Sequence, residues 1–341
     1  MITIGFPVYN VEKYVSRSFT SALNQDMEDF EIIVVDDCGT DNSIALINKI
    51  IESHPKGCKT RIIKHERNKG LAEARNTVIK NANGEYIYFM DSDDFIVQNT
   101  LSLLLQSAET YQADVVFSSN FKQEGEKKWI ENNDILPDRK FLKEGEFVNY
   151  VYMTPNALIP NTVWNILFRT SFLLDNHLLF PNIRYQEDIA FNELYHPLVK
   201  KAIFISTPTY YYVIRRDSLM SKCNREHIGI EEAQRAFQLC EEIKKSCNQW
   251  KNESFYSGKC AIVMRNCFYN MGGIIKHRKK FNASLSNKNI RNAMKHPASF
   301  SDIIGFKHKR KENLFFYLLG ILPSFITTKL IEYTSVRRGH F

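Results

Sequence analysis

Glycine and proline are sparse in this 341-residue chain, at 14 and 10 residues, and no glycine-rich loop follows its first strand-like run. That position holds Pro7-Val8-Tyr9-Asn10. A dinucleotide dehydrogenase would carry G-x-G-x-x-G there, and a sugar-1-phosphate nucleotidyltransferase a glycine-rich phosphate loop. The seven cysteines are odd in number and form no C-x-x-C pair, which leaves a zinc site as a remote alternative to reduced core thiols in a cytosolic chain. Cys240/Cys247 and Cys260/Cys267 are each two helical turns apart, a spacing that a core-facing helix explains without metal. No apolar run reaches the length of about 20 residues that spans a bilayer; the longest, Leu314 to Ile326, is broken by Gly320 and Pro323. The start, Met1-Ile-Thr-Ile-Gly-Phe-Pro-Val, has no basic segment ahead of an apolar stretch, so no cleaved secretion signal is expected. Internal repeats and low-complexity tracts are missing too.

With 44% hydrophobic residues the chain can bury a full core. Its net charge of +7 is unevenly placed: Lys276 to Phe341 holds fourteen Lys/Arg against three Asp/Glu, a surplus of +11, leaving −4 for the remainder. A tail of this kind suits an anionic membrane surface or nucleic acid, and no nucleic-acid-binding module accompanies it.

Short β-branched or aromatic runs alternate with amphipathic stretches, the pattern of a parallel sheet flanked by helices. Strands are expected at Ile2–Val8, Phe30–Val35, Arg61–His65 and Glu85–Met90. Each leads to a helix, over Val11–Gln25, Asn42–Ser53, Leu71–Asn81 and Gln98–Tyr111. After a strand at Asp114–Asn120 the pattern is irregular through Asn161. Strands at Val163–Phe168, Ile203–Ile205 and Tyr210–Ile214 and a helix at Glu187–Tyr195 follow. Long helices over Arg225–Cys247 and Glu253–Lys276 come next.

Ligands of open α/β sheets bind beyond the carboxyl ends of the strands, so strand-end residues carry the chemistry. Here they are polar: Tyr9-Asn10 after the first strand, Asp36-Asp37 after the second, and Asp91-Ser92-Asp93-Asp94 after the fourth. Two carboxylates spaced i, i+2 suit Mg²⁺ or Mn²⁺, which take oxygen ligands and share them with phosphates. A turn and helix cap would use the same residues. Asp36-Asp37 suits a ribose or base equally well as a turn, and Tyr9 suits stacking on a base or plain packing.

Taken together, several strings resemble the family-2 inverting glycosyltransferases of GT-A fold. They are Pro7 through Tyr14, Ser21 through Gln25, Phe30 through Asp37, Asn68-Lys69-Gly70-Leu71-Ala72 with Arg75-Asn76, and Gly84 through Asp94. The match is in order and spacing over the first hundred residues. The resemblance implies an α/β fold with a mostly parallel Rossmann-like sheet flanked by helices, with a C-terminal helical extension. It implies a nucleotide-sugar site in which Pro7, Tyr9 and Asp37 hold base and ribose with Asp36 close by. Asp91 and Asp93 form its D-x-D motif, which binds Mn²⁺ or Mg²⁺, with Asp93 as the direct ligand and Asp91 nearer the ribose, and Ser92 is on the nucleotide side. Gly70 and Arg75 border the site. Downstream, Gln186-Glu187-Asp188 looks like the family's E-D motif, which makes Asp188 the catalytic base. A carboxylate pair in a helix's first turn is also what the macrodipole favours. Arg215 or Arg216 is expected at the diphosphate or on the solvated surface.

On this reading residues 1–221 form the transferase domain, with 1–120 as the nucleotide-sugar half and 121–221 as the acceptor half. Residues 222–341 form a basic helical region. The expected activity is inverting transfer from a nucleoside-diphosphate sugar, UDP by resemblance, to a hydroxyl of a glycan or lipid-linked acceptor in cell-surface polysaccharide synthesis. The alternatives are a catalytically silent sugar-nucleotide binder or a nucleotidyltransferase. Leu314-Phe315-Phe316-Tyr317-Leu318-Leu319 between basic clusters suits a helix lying in a membrane interface, which would make a cytoplasmic protein peripheral on the cytosolic face. The other reading of that stretch is a helix docked on the preceding pair.

Overall fold

A computed structural model of the chain describes residues 1–124, 128–130, 135–184, 186–214, 230–278 and 285–336. Arg215, Arg216, Cys223 and Arg337-Arg338 lie outside them. The chain divides into two compact units, Met1–Phe147 with Leu158–Arg184 and Leu194–Arg215, and Val148–Ala157 with Tyr185–Glu193 and Arg216–Phe341.

The first unit is built on a sheet. Its strands are β1 (Ile2–Val8), β2 (Phe30–Asp36), β3 (Thr60–Lys64), β4 (Tyr86–Phe89), β5 (Phe95–Ile96), β6 (Val115–Glu124), β7 (Lys128–Ile130), β8 (Arg139–Phe141), β9 (Ile166–Arg169) and β10 (Ala202–Ile214). They lie in the order β3-β2-β1-β4-β9-β6-β10-β5, with β7 on β6 and β8 on β10. Helices α1 (Glu12–Leu23), α2 (Ser43–Ser53), α3 (Leu71–Asn81) and α4 (Thr100–Tyr111) follow β1, β2, β3 and β5. The first four strands are parallel. β1 is buried along its whole length, which is why it reads as an unbroken apolar run rather than an alternation. Phe6 and Phe19 meet edge to face at 5.6 Å where α1 covers β1.

Three features of this unit depart from the expected pattern. The Asp91–Asp94 turn leads first into β5, which pairs antiparallel with β10, and only then into α4. β9 runs antiparallel between β4 and β6, so the sheet is mixed. The strands expected at Ile203–Ile205 and Tyr210–Ile214 are one, β10, with register shifts around Pro208; proline has no N–H to give the ladder. Two short helices were not expected, α5 (Glu146–Met153) and α6 (Thr170–Asp175).

The second unit is helical. Besides most of α5 and of α7 (Glu187–Tyr195), it contains α8 (Ile230–Lys245), α9 (Tyr256–His277), α10 (Asn287–Ala293), α11 (Phe300–Gly305), α12 (Arg310–Ile321) and α13 (Ser324–Ile331). Leu239, Cys240 and Ile243 of α8 and Met264, Cys267 and Met271 of α9 are buried. Cys240, Cys247, Cys260 and Cys267 are free thiols within this core. Burial pushes the Cys260 and Cys267 thiols far up, which suits inert packing rather than metal ligation.

Candidate functional site

The chain places β2 and β3 on one side of β1 and β4 on the other, so the strand order reverses between β1 and β4. Such a switch point is where open α/β sheets leave a crevice. The parting is visible in the ladder. β1 pairs with β4 only as far as Gly5–Phe89, where Met90 N–H donates to Gly5 O at 3.0 Å, while β1 stays paired with β2 to Val8–Asp36. Pro7, two residues past Gly5, stands where the β4 ladder has already ended, so its missing N–H breaks no bond. Tyr9 follows at 49% exposure. Asn10 then adopts φ +52° and accepts from Thr40 N–H at 2.7 Å, tying the loop after β1 to the loop after β2.

The β4 side of the crevice is the Asp91–Asp94 turn, closed by Asp94 N–H donating to Asp91 O at 3.2 Å. Ser92 is buried within it, and Asp91 and Asp93 are half-buried. Asp94 points inward and anchors the turn to β10: Tyr210 O–H donates to its Oδ2 and Val213 N–H to its Oδ1, both at 2.8 Å. The Tyr210 oxygen also accepts from Asp91 N–H at 3.2 Å. Burial, with Asp93 and Asp91 alongside, pushes the Asp94 carboxyl well above the usual carboxylate range. Burial and Asp94 likewise push the Tyr210 phenol up, so it remains a proton donor.

Arg75 on α3 is almost fully buried and donates from Nη2 to Asp91 Oδ1 at 2.9 Å, its guanidinium 5.4 Å from the Phe180 ring centre. The loop ahead of α3 is held by Asp37. Its Oδ1 accepts from Lys69 N–H and its Oδ2 from Gly70 N–H, each at 2.8 Å, and His65 Nδ1 lies 2.7 Å from Oδ1. Both oxygens of this buried carboxylate are thus engaged in shaping the loop. Asp36 accepts from Cys38 N–H at 3.0 Å, which turns the chain after β2. Gly70 has φ +91°, a backbone open to glycine at little cost.

The carboxylates of Asp91, Asp93 and Asp94 offer oxygens within 4.8 Å of one another. An all-oxygen donor set of that size fits a hard divalent cation that keeps part of its shell for phosphate and water.

Among the expected residues, Asp91 and Asp93 share this turn, Arg75 touches it, and Asp37 and Gly70 meet in the loop before α3. Asp188 belongs to the second unit. It is half-buried in the first turn of α7, after Gln186 at φ +52°. Asn270 of α9 donates to Gln186 Oε1 at 3.3 Å.

Sequence reasoning did not single out Asp94, Tyr210 and Trp164 as site residues. Trp164 stacks on Tyr210 at 4.5 Å and on Tyr212 at 5.5 Å, while Tyr211 stacks on Phe95 at 4.3 Å. The run Tyr210-Tyr211-Tyr212 carried the signal, since alternate residues of a strand face opposite sides.

Comparison with known proteins agrees with this geometry. The profile described as glycosyl transferase family 2 matches residues 3–173. The glycosyltransferase EpsJ of Bacillus subtilis, itself described as uncharacterized, is 27% identical over 311 residues, covering 87% of this chain and 86% of EpsJ. A poly(ribitol-phosphate) beta-glucosyltransferase of Bacillus spizizenii is 33% identical over 220 residues, and there the chain spans only 32% of the relative's length. Of solved structures, TarS 1-349 of S. aureus in complex with UDP-GlcNAc superposes with a TM-score of 0.72 at 20% identity, covering 99% of this chain and 92% of that one. A mannosyltransferase of Pyrobaculum calidifontis in complex with GDP-Man and Mn²⁺ gives a TM-score of 0.54 at 14% identity, covering 98% of this chain and 87% of the other. With half of its length matched by the family profile, and with the fold of these neighbours, the chain belongs to glycosyltransferase family 2 and is a glycosyltransferase of GT-A fold.

Proposed function

We propose that this enzyme moves a sugar from a nucleoside-diphosphate donor, with UDP as the leaving group, to a hydroxyl of a glycan or lipid-linked acceptor. Transfer proceeds with inversion and serves cell-surface polysaccharide assembly at the cytosolic face of a membrane. The observation that carries this reading is the carboxylate turn Asp91–Asp94 at the parting of β1 and β4. The complexes of TarS with UDP-GlcNAc and with UDP favour a uridine donor, and the poly(ribitol-phosphate) transferases favour a surface-glycan product.

Pro7, Tyr9 and Asp37 hold the base and ribose with Asp36 close by, and the exposed Tyr9 ring offers a stacking surface. Asp37 also fixes the Lys69-Gly70 loop. Arg75 takes one oxygen of Asp91, which supports Asp93 as the residue that would hold Mn²⁺ or Mg²⁺ directly, with Asp91 nearer the ribose and Ser92 on the nucleotide side. A divalent cation held there would neutralise charge developing on the departing diphosphate.

Asp188 is the general base. It takes the acceptor's hydroxyl proton as that oxygen bonds to the anomeric carbon and the carbon–oxygen bond to the diphosphate breaks on the opposite face. No protein nucleophile is needed. Residues 1–221 would then be the transferase domain, nucleotide-sugar half 1–120 and acceptor half 121–221, with 222–341 as its helical extension.

The test is a thermal-shift screen of nucleotide sugars with and without Mn²⁺, followed by donor hydrolysis for any that stabilise. A true donor raises the melting temperature by mass action only with the cation, and is slowly hydrolysed. Stabilisation without hydrolysis or transfer would leave a silent binder. No response to any nucleotide sugar would remove the assignment.

A further inference from the structure

The outer side of the C-terminal helices is apolar where a solvent-facing helix is expected to be polar. α12 packs on α9 and α11 through Asn313, Phe316 and Leu319, which are buried. Gly320 completes that side: a Cβ there would come within 2.7 Å of Met294 O, so the helix lies close against the loop after α10. The opposite side carries Phe315, Leu318 at 41% exposure and Ile321 at 58%, and α13 continues it with Phe325 at 58%. Spacing of i, i+3, i+6 puts the first three on one stripe. Large exposed apolar side chains gathered in one region mark an interaction surface rather than ordinary scatter.

Cations flank the stripe. Lys307 and Lys311 are exposed at the amino end of α12, with Arg310 between them, and Lys329 is exposed on α13. Among the described residues of 285–336 the acidic groups are Asp302, Glu312 and Glu332. Asp302 is engaged by Ser299 and Lys251, and Glu312 by Arg265 and Lys309. Exposed cations rimming an apolar stripe complement a surface with an anionic rim and an apolar interior.

We propose that this face docks on an anionic phospholipid surface, with α12 lying in the plane of the headgroups. Phe315, Leu318, Ile321 and Phe325 enter the acyl boundary, and Lys307, Arg310 and Lys311 meet lipid phosphates. The proposal gives a surface to the membrane setting in the functional reading above and rests on that setting, yet its test needs no sugar or nucleotide.

The test is sedimentation of the full chain with phosphatidylcholine vesicles, with or without phosphatidylglycerol, at low and high salt. Binding should require phosphatidylglycerol and fall at high salt. Lys307→Gln with Lys311→Gln should weaken it by about 25-fold, at roughly five-fold per charge. The triple variant Leu318→Ser, Ile321→Ser, Phe325→Ser should lose binding while keeping the parent's melting temperature. Failure of the parent to bind anionic vesicles at low salt overturns the proposal, as does undiminished binding by the triple variant. Parent self-association that the triple variant abolishes, seen by light scattering without vesicles, would assign the face to a second copy instead. None of these outcomes alters the donor-binding result, so the two readings fail separately.

Discussion

Arg75 Nη2 lies 2.9 Å from Asp91 Oδ1, so a nearly buried guanidinium on α3 neutralises the first carboxylate of the Asp91–Asp94 turn. The consequence is a division of labour between two aspartates of the same motif. Asp93→Ala should remove the Mn²⁺ dependence of UDP binding, while Asp91→Asn should weaken nucleotide binding and preserve a metal response. Titration calorimetry with UDP, with and without Mn²⁺, checks both. Unchanged Mn²⁺-dependent affinity in Asp93→Ala would place the cation elsewhere. Asp93→Ala should leave the fold intact, because that side chain is half-exposed at a strand end and contributes little to the core, whereas Asp91→Asn removes the carboxylate that meets the nearly buried Arg75 and should lower the melting temperature.

The proposed base sits in the other unit, and its test must separate binding from chemistry. Asp188→Asn keeps the size and most hydrogen-bonding capacity of the side chain but cannot accept a proton. It should bind donor and metal as the parent does and lose transfer by at least ~10², the usual scale of general base catalysis. Near-normal turnover would shift the role to another group, with Glu187 the next candidate.

The β–α repeats of the first hundred residues were legible because buried parallel strands read as apolar runs, and each run ended in polar residues. β5 was not, since two residues carry no periodicity and exist as a strand only through β10. The same reason hid the role of Asp94. Its partners Tyr210 and Val213 are more than a hundred positions away in sequence, and nothing local distinguishes an inward carboxylate from its neighbours Asp91 and Asp93. Arg75 was placed by resemblance, yet its bond to Asp91 depends on how α3 lies beside the sheet. α5 was missed inside a stretch of mixed charge although Phe147, Val148, Val151 and Tyr152 have helical spacing and are buried. Asp37, expected at the base and ribose, also accepts from the Lys69 and Gly70 N–H groups, a loop-shaping role that no local pattern announces because its partners lie more than thirty positions away.

Lys259 is wholly buried within the second unit. Its Nζ donates to Glu193 Oε2 and to Glu193 O, each at 2.8 Å, and lies 3.3 Å from the Tyr152 hydroxyl, which in turn donates to Glu193 Oε2 at 3.1 Å. One lysine on α9 thereby fastens α7, the helix that carries Asp188, and α5. Removing one member strands a buried charge. Lys259→Met should therefore cost about 3–5 kcal/mol in urea unfolding. The double variant Lys259→Met/Glu193→Leu should cost clearly less than the sum of its parts, since the uncompensated charge is gone. Strict additivity would mean that the pair is not coupled.

A second buried polar group of this unit makes its stability depend on pH. His296 Nε2–H faces Asn313 Oδ1 at 2.9 Å, and its Nδ1 accepts from Ala298 N–H at 3.0 Å, a pairing that requires the neutral ring. Burial lowers the pKa of His296, outweighing the hydrogen bond to Asn313, which acts in the opposite direction. The folded ring is therefore less ready to take a proton than the same ring in the unfolded chain, where a histidine titrates near ~6.5. Stability is fully present above that value and is lost as pH falls below it, until the lowered folded pKa has been passed. Urea unfolding followed between about pH 7.5 and 5.5 should show this decline, in a range above the titration of ordinary carboxylates. His296→Gln keeps a donor near the Nε2 position and cannot be protonated, so it should flatten the decline while costing some stability at neutral pH. An unchanged slope in that variant would assign the pH dependence to other groups.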